Sequence, residues 1–148
     1  MNEEKIRWCL CQKKGIQIIG IKPHLSKSYM EEAELTLENV FPAKGKWKLI
    51  TAYYACYNAL YSVLMKCGIQ CEIHDCTIEL MDILGFESEK IKYMRKMKGD
   101  RIQAQYYLRD VRLDDEQKVK EFILACKVLL NDLNSAKIEQ IRNAISRL

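Results

Sequence analysis

The chain has 148 residues, about half of them hydrophobic, with a formal net charge of +4 from interspersed Lys, Arg, Asp and Glu. That length suits one domain, and the mild charge excludes the dense basic footprint of a general nucleic-acid binder. No apolar run approaches the ~20 residues that cross a bilayer, and Met1–Lys14 lacks the apolar stretch of a signal peptide, so the expectation is a soluble, cytoplasmic protein with no membrane partner. Seven cysteines, an odd number without an export signal, argue against a disulfide framework.

In chain order, residues 3–13 read as a short helix with Ile6, Cys9 and Leu10 on one side, ended by Gly15. The stretch GIQIIGI alternates like a strand without an obvious partner and reads as an extended arm. Ser28-x-x-Glu31 has the form of a capping box, in which two side chains bond each other's free backbone N–H. The helix it opens carries Ala33, Leu37, Val40 and Phe41 on one face and stops at Pro42 and Gly45. Trp47 to Lys66 follows, apolar or aromatic over most of its circumference, with Lys48, Thr51, Asn58, Ser62 and Lys66 confined to one stripe. A helix of that kind must be covered on several sides, so it is expected to be the central post of a bundle.

Gly68 closes that post as a left-handed cap. Asp75 is the expected N-cap of a short helix, Cys76–Leu84, and Ser88 that of a helix running to about Asp110. Asp114 and Asp115 place acids at the start of the next helix, whose stripe is Val119, Phe122, Ile123, Cys126 and Leu130. Asn134-Ser135 interrupts it, and Ile138, Ile141, Ile145 and Leu148 line a terminal helix. The predicted fold is all-α, an up-and-down bundle of four to five helices with an N-terminal helix and arm and a short C-terminal helix. Its expected divisions are residues 1–25, 26–133 and 134–148.

Three sets of side chains bear on chemistry. Cys67, Cys71, His74 and Cys76 are four soft ligands within ten residues, but they lack the Cys-x2-Cys knuckle of a zinc site; buried thiols are the competing reading. Tyr53, Tyr54, Tyr57 and Tyr61 form a broad stripe that suits core packing, with one or two bordering a cleft. Arg101 projects into an apolar sector beside Met94 and Met97, where a charge needs a partner. That partner is either an acid of a neighbouring helix or a bound phosphate, for which the planar fork is suited. Of the two histidines, His74 is the one placed to approach such a cleft.

Ala52-Tyr53-Tyr54-Ala55, the helix end Leu64–Gly68 followed by His74, and Arg101-x-x-Ala104-x-Tyr106 resemble motifs of HEPN-domain proteins, with the similarity covering roughly residues 26–131. The resemblance implies a helical bundle that dimerises, a ligand that is a nucleotide or RNA, and in some members a nucleotidyltransferase partner in a toxin–antitoxin module. No cofactor or metal is implied. It also implies, for many members, a metal-independent ribonuclease with an R-x4-6-H motif. Here the motif departs: Tyr106, Tyr107 and Leu108 stand where the histidine falls, and Asn58 stands where many relatives carry histidine. Three readings stay open. One is nucleotide or RNA binding by Arg101, Tyr54, Asn58, Gln105 and Tyr106. Another is a ribonuclease in which His74 joins Arg101 as catalytic residue. The last is a docking bundle in which Arg101 is merely ion-paired.

Overall fold

The computed structural model describes residues 1–148 and contains eight helices: α1 (Glu3–Cys11), α2 (Pro23–Val40), α3 (Lys46–Lys66), α4 (His74–Glu79), α5 (Met81–Leu84), α6 (Ser88–Gln105), α7 (Glu116–Asp132) and α8 (Ser135–Ser146). The expected up-and-down bundle of four to five helices is therefore corrected to an eight-helix all-α fold. Two more elements, β1 (Gln17–Ile18) and β2 (Ile69–Gln70), make a minimal antiparallel pair.

α3 is the post around which the rest is arranged. It has no internal Pro or Gly, and fourteen of its 21 residues are buried. The α2, α6 and α7 helices pack around it. Its apolar circumference is thus covered inside one chain, so it is not a surface awaiting a second copy. Small residues make the close approach to α2 feasible: Ala33, Ala52, Ala55 and Ala59 are fully buried. Ser26 fixes the register by donating from Oγ to the Ser62 carbonyl at 2.8 Å.

Helix boundaries differ from the sequence reading at four places. α2 begins at Pro23, whose fixed φ and missing N–H suit a first helical position. Ser28 therefore lies inside the helix, bonding the His24 carbonyl rather than forming a capping box. α4 begins at His74, with the Thr77 backbone and hydroxyl both returning to the Ile73 carbonyl; Asp75 is freed from capping and pairs with Lys98 at 2.8 Å. The expected helix 76–84 divides at Leu80 into α4 and α5. α6 starts without a side-chain cap and stops at Gln105, because Leu108 adopts a positive φ of 53° and the Arg109 N–H turns back to the Gln103 carbonyl. Asp115 and Asn134 cap α7 and α8, accepting backbone N–H groups at 2.9 Å each.

The arm has a partner after all. Its residues pair with the segment leaving α3, in the register Gln17↔Gln70 and Ile18↔Ile69. Gly68 makes this possible: at φ +67° a Cβ would lie 2.3 Å from Arg142 Nη1 and 2.7 Å from the Ile19 carbonyl oxygen. Arg142 of α8 donates to the carbonyls of Ile19, Cys67 and Gly68 at 2.8, 3.0 and 3.0 Å. One guanidinium thus ties the arm, the end of the post and the last helix together.

A second tie contradicts the expectation drawn from the cysteine count. Cys9 of α1 is disulfide-bonded to Cys76 of α4. The count alone carried no information about which thiols the fold brings together. Cys11, Cys56, Cys67, Cys71 and Cys126 are free. No helix is long and apolar enough to cross a membrane.

Candidate functional site

The inward sector of α6 is made by Met94, Met97, Arg101 and Ala104, which recur at helical spacing and are all buried. Arg101 is only 6% exposed, yet no carboxylate pairs with it. Its Nη1 donates to the Tyr54 hydroxyl at 3.1 Å and to Gln105 Oε1 at 3.5 Å, the latter at the weak limit of a hydrogen bond. Its Nε has no partner at all. The guanidinium carbon lies 4.6, 5.6 and 5.7 Å from the ring centres of Tyr53, Tyr54 and Tyr106. Aromatic faces soften the desolvation of a cation, but they accept none of its N–H groups.

Tyr53 carries the arrangement onward. It is fully buried, and its hydroxyl lies 2.7 Å from His74 Nδ1. The imidazole also stacks on Tyr57, with centroids 4.1 Å apart, and the Tyr57 hydroxyl is 3.1 Å from Thr77 Oγ1. Burial pushes the phenols of Tyr53 and Tyr57 well above the usual range, so both remain neutral hydroxyls. The Nε2 of His74 makes no hydrogen bond within the protein.

Tyr53, Tyr54, Gln105 and Tyr106 thus surround the Arg101 guanidinium, and Tyr53 links it to His74. Asn58 lies half-buried one turn further along α3 and makes no side-chain hydrogen bond, so the structure leaves it outside this cluster. Tyr106 is 64% exposed and follows the last turn of α6, where the helix ends and no longer fixes its angle to Arg101. The zinc reading of Cys67, Cys71, His74 and Cys76 loses one ligand to the disulfide, and no three His, Cys, Asp or Glu side chains converge. Burial pushes the Cys67 thiol up to about 11, keeping it a protonated core group.

Sequence reasoning missed Tyr53 and Lys98 as parts of the site. Tyr53 read as one of several packing tyrosines; its link to His74 depends on the turn after β2, which no local pattern encodes. Lys98 was findable, since it precedes Arg101 by one turn of the same helix.

The surroundings hold His74 neutral. Burial lowers its pKa below the ordinary imidazole value, and the positive charges of Arg101 and Lys98 lower it further, against an opposing effect of Asp75. On acidification the unfolded chain therefore takes up this proton first. The stability tied to neutral His74 is complete above about pH 6.5 and declines as pH falls towards the folded-state pKa. Urea midpoints of the wild type are expected to drop between about pH 6.5 and 5 more steeply than those of His74→Gln, which keeps a polar partner for Tyr53. Equal slopes would show that another group titrates.

Comparison with known protein families and with curated proteins returned no match to this chain.

Proposed function

We propose that the chain binds the phosphate of a nucleotide or of RNA at Arg101, as a HEPN-like protein. One observation carries the reading: a buried guanidinium with an unpartnered Nε and no counter-ion. A structural arginine at this depth has an acid beside it, because an unpaired buried charge is strongly unfavourable. The docking-bundle reading required such an ion pair and is not carried further. Tyr54, Gln105 and Tyr106 would frame the anion, with Tyr54 and Tyr106 giving a bound sugar or base an aromatic edge.

A second reading is favoured by the Tyr53 bridge. In it the chain is a metal-independent ribonuclease. His74 Nδ1–H donates to Tyr53, and Nε2 takes the proton of the ribose 2′-OH as that oxygen attacks phosphorus. The 5′-oxygen leaves, and Arg101 stabilises the charge gathering on the phosphoryl oxygens. Neutrality at pH 7 suits the imidazole to this role.

The test uses the full-length chain and a short mixed-sequence RNA in EDTA. Cleavage that His74→Ala abolishes would establish the ribonuclease reading; intact RNA bound in an Arg101-dependent way would leave binding alone. The proposed homodimer would place the exposed Tyr106, Tyr107 and Leu108 against a second copy, beside Arg101. A sole species near 17.4 kDa in sedimentation at micromolar concentration would remove it. A nucleotidyltransferase partner rests on the resemblance alone, and copurification with a co-expressed neighbour is its test.

A further inference from the structure

Beside His74 a pocket of about 240 Å³ opens to solvent between α2, α3 and the turn into α4. Its lining is Tyr29, Tyr57, Tyr61, Cys71, Glu72 and His74. The aromatic members form a run: Tyr29 tilted at 56° against Tyr61 at 4.8 Å, Tyr61 stacked on Tyr57 at 6.0 Å, and Tyr57 stacked on His74 at 4.1 Å. The polar tips of two of them are spent internally. The Tyr61 hydroxyl accepts the Cys71 N–H at 3.1 Å, and that of Tyr57 meets Thr77. What the pocket offers a ligand is therefore aromatic surface, the free Nε2 of His74, and the Glu72 carboxylate.

Glu72 is held but not used up. Its backbone N–H pairs with the Lys14 carbonyl at 2.9 Å, and its Oε2 meets Lys14 Nζ at 3.1 Å, leaving Oε1 without a protein partner. A carboxylate accepts hydrogen bonds only, so it selects a ring that presents donors. The volume is below that of a drug-sized site and suits a single ring system. We infer that this pocket is a nucleobase subsite preferring guanine, whose adjacent N1–H and N2–H donors face Glu72 while the ring lies against Tyr29, Tyr61 and His74. The inference rests on the phosphate reading of Arg101, from which the pocket is separated by the buried Tyr53 bonded to His74.

Titration calorimetry on the full-length, disulfide-intact protein with GMP, UMP, guanosine and ribose 5-phosphate tests this. GMP is expected to bind at least tenfold more tightly than UMP or ribose 5-phosphate. Glu72→Gln should remove the preference for GMP over UMP and leave ribose 5-phosphate unchanged, and Tyr29→Ala should weaken GMP and guanosine together. Equal affinities for GMP and ribose 5-phosphate in the wild type, both lost in Arg101→Met, would overturn the base subsite and keep the anion site. Guanosine binding as tightly as GMP would do the reverse. No binding by any of the four would overturn both.

Discussion

Arg101→Met is expected to leave the protein as stable as the wild type or more so, while weakening phosphate binding tenfold to a hundredfold. The guanidinium is desolvated, makes one good hydrogen bond to Tyr54, and leaves Nε unpaired. A buried donor without a partner costs about 1–3 kcal/mol. Replacing buried charge with a well-packed apolar side chain is often neutral or stabilising by about 1–4 kcal/mol. Against that stands the loss of cation–π contact with Tyr53, about 0.5–2 kcal/mol, part of which the methionine thioether regains against the same ring. The balance lies between no change and a gain of about 2 kcal/mol, a rise of at most a few degrees in Tm for a chain of this size. Arg101→Lys should fall between, keeping the charge and losing the fork. A melting curve and a titration with GMP decide the matter together. A Met variant that loses more than about 2 kcal/mol and binds as before would mark Arg101 as a structural residue.

That opposition of stability and binding explains why the site was half legible. The spacing of Met94, Met97 and Arg101 placed the guanidinium on the inner face of its helix, because helical periodicity is local information. The same holds for the buried post and for Gly68. The features that escaped are long-range. The strand-like alternation of GIQIIGI is local, but its two-residue pairing with Ile69–Gln70 is not, so the segment read as an unpartnered arm. The start of α4 is set by where Thr77 finds a carbonyl, and the role of Tyr53 by where that start puts His74. The helix count failed for a related reason: Leu80 is no helix breaker, yet α4 ends and α5 begins there. The reading also set α1 and α8 apart from the bundle, although Cys9 and Arg142 bind them to the centre.

Reduction of Cys9–Cys76 is expected to lower the unfolding free energy by about 4 kcal/mol, a large part of the ~5–15 kcal/mol typical of a domain. The bond closes a loop with a sequence separation of 67 residues, containing α2, α3 and the strand pair, so its effect falls mainly on the unfolded chain. α1 also has contacts that do not depend on the disulfide: Ile6 is buried, the Asn2 N–H meets Glu79 Oε1 at 3.1 Å, and the terminal amine meets Asp82 at 2.9 Å. The reduced protein should therefore fold, with a lower urea midpoint and a steeper dependence on urea, because its unfolded state exposes more surface. Cys9→Ser, Cys76→Ser and the double variant should be destabilised about equally, since either change alone removes the whole crosslink. Their stabilities should no longer respond to reductant. Thiol titration of the denatured, unreduced wild type should count five free groups out of seven cysteines. Seven titrating thiols, or a midpoint indifferent to reductant, would mean that α1 is held by packing alone. Because Cys76 sits two residues beyond His74, the same comparison should show faster amide exchange at the start of α4 in the reduced protein, where the imidazole loses its anchor to the first helix.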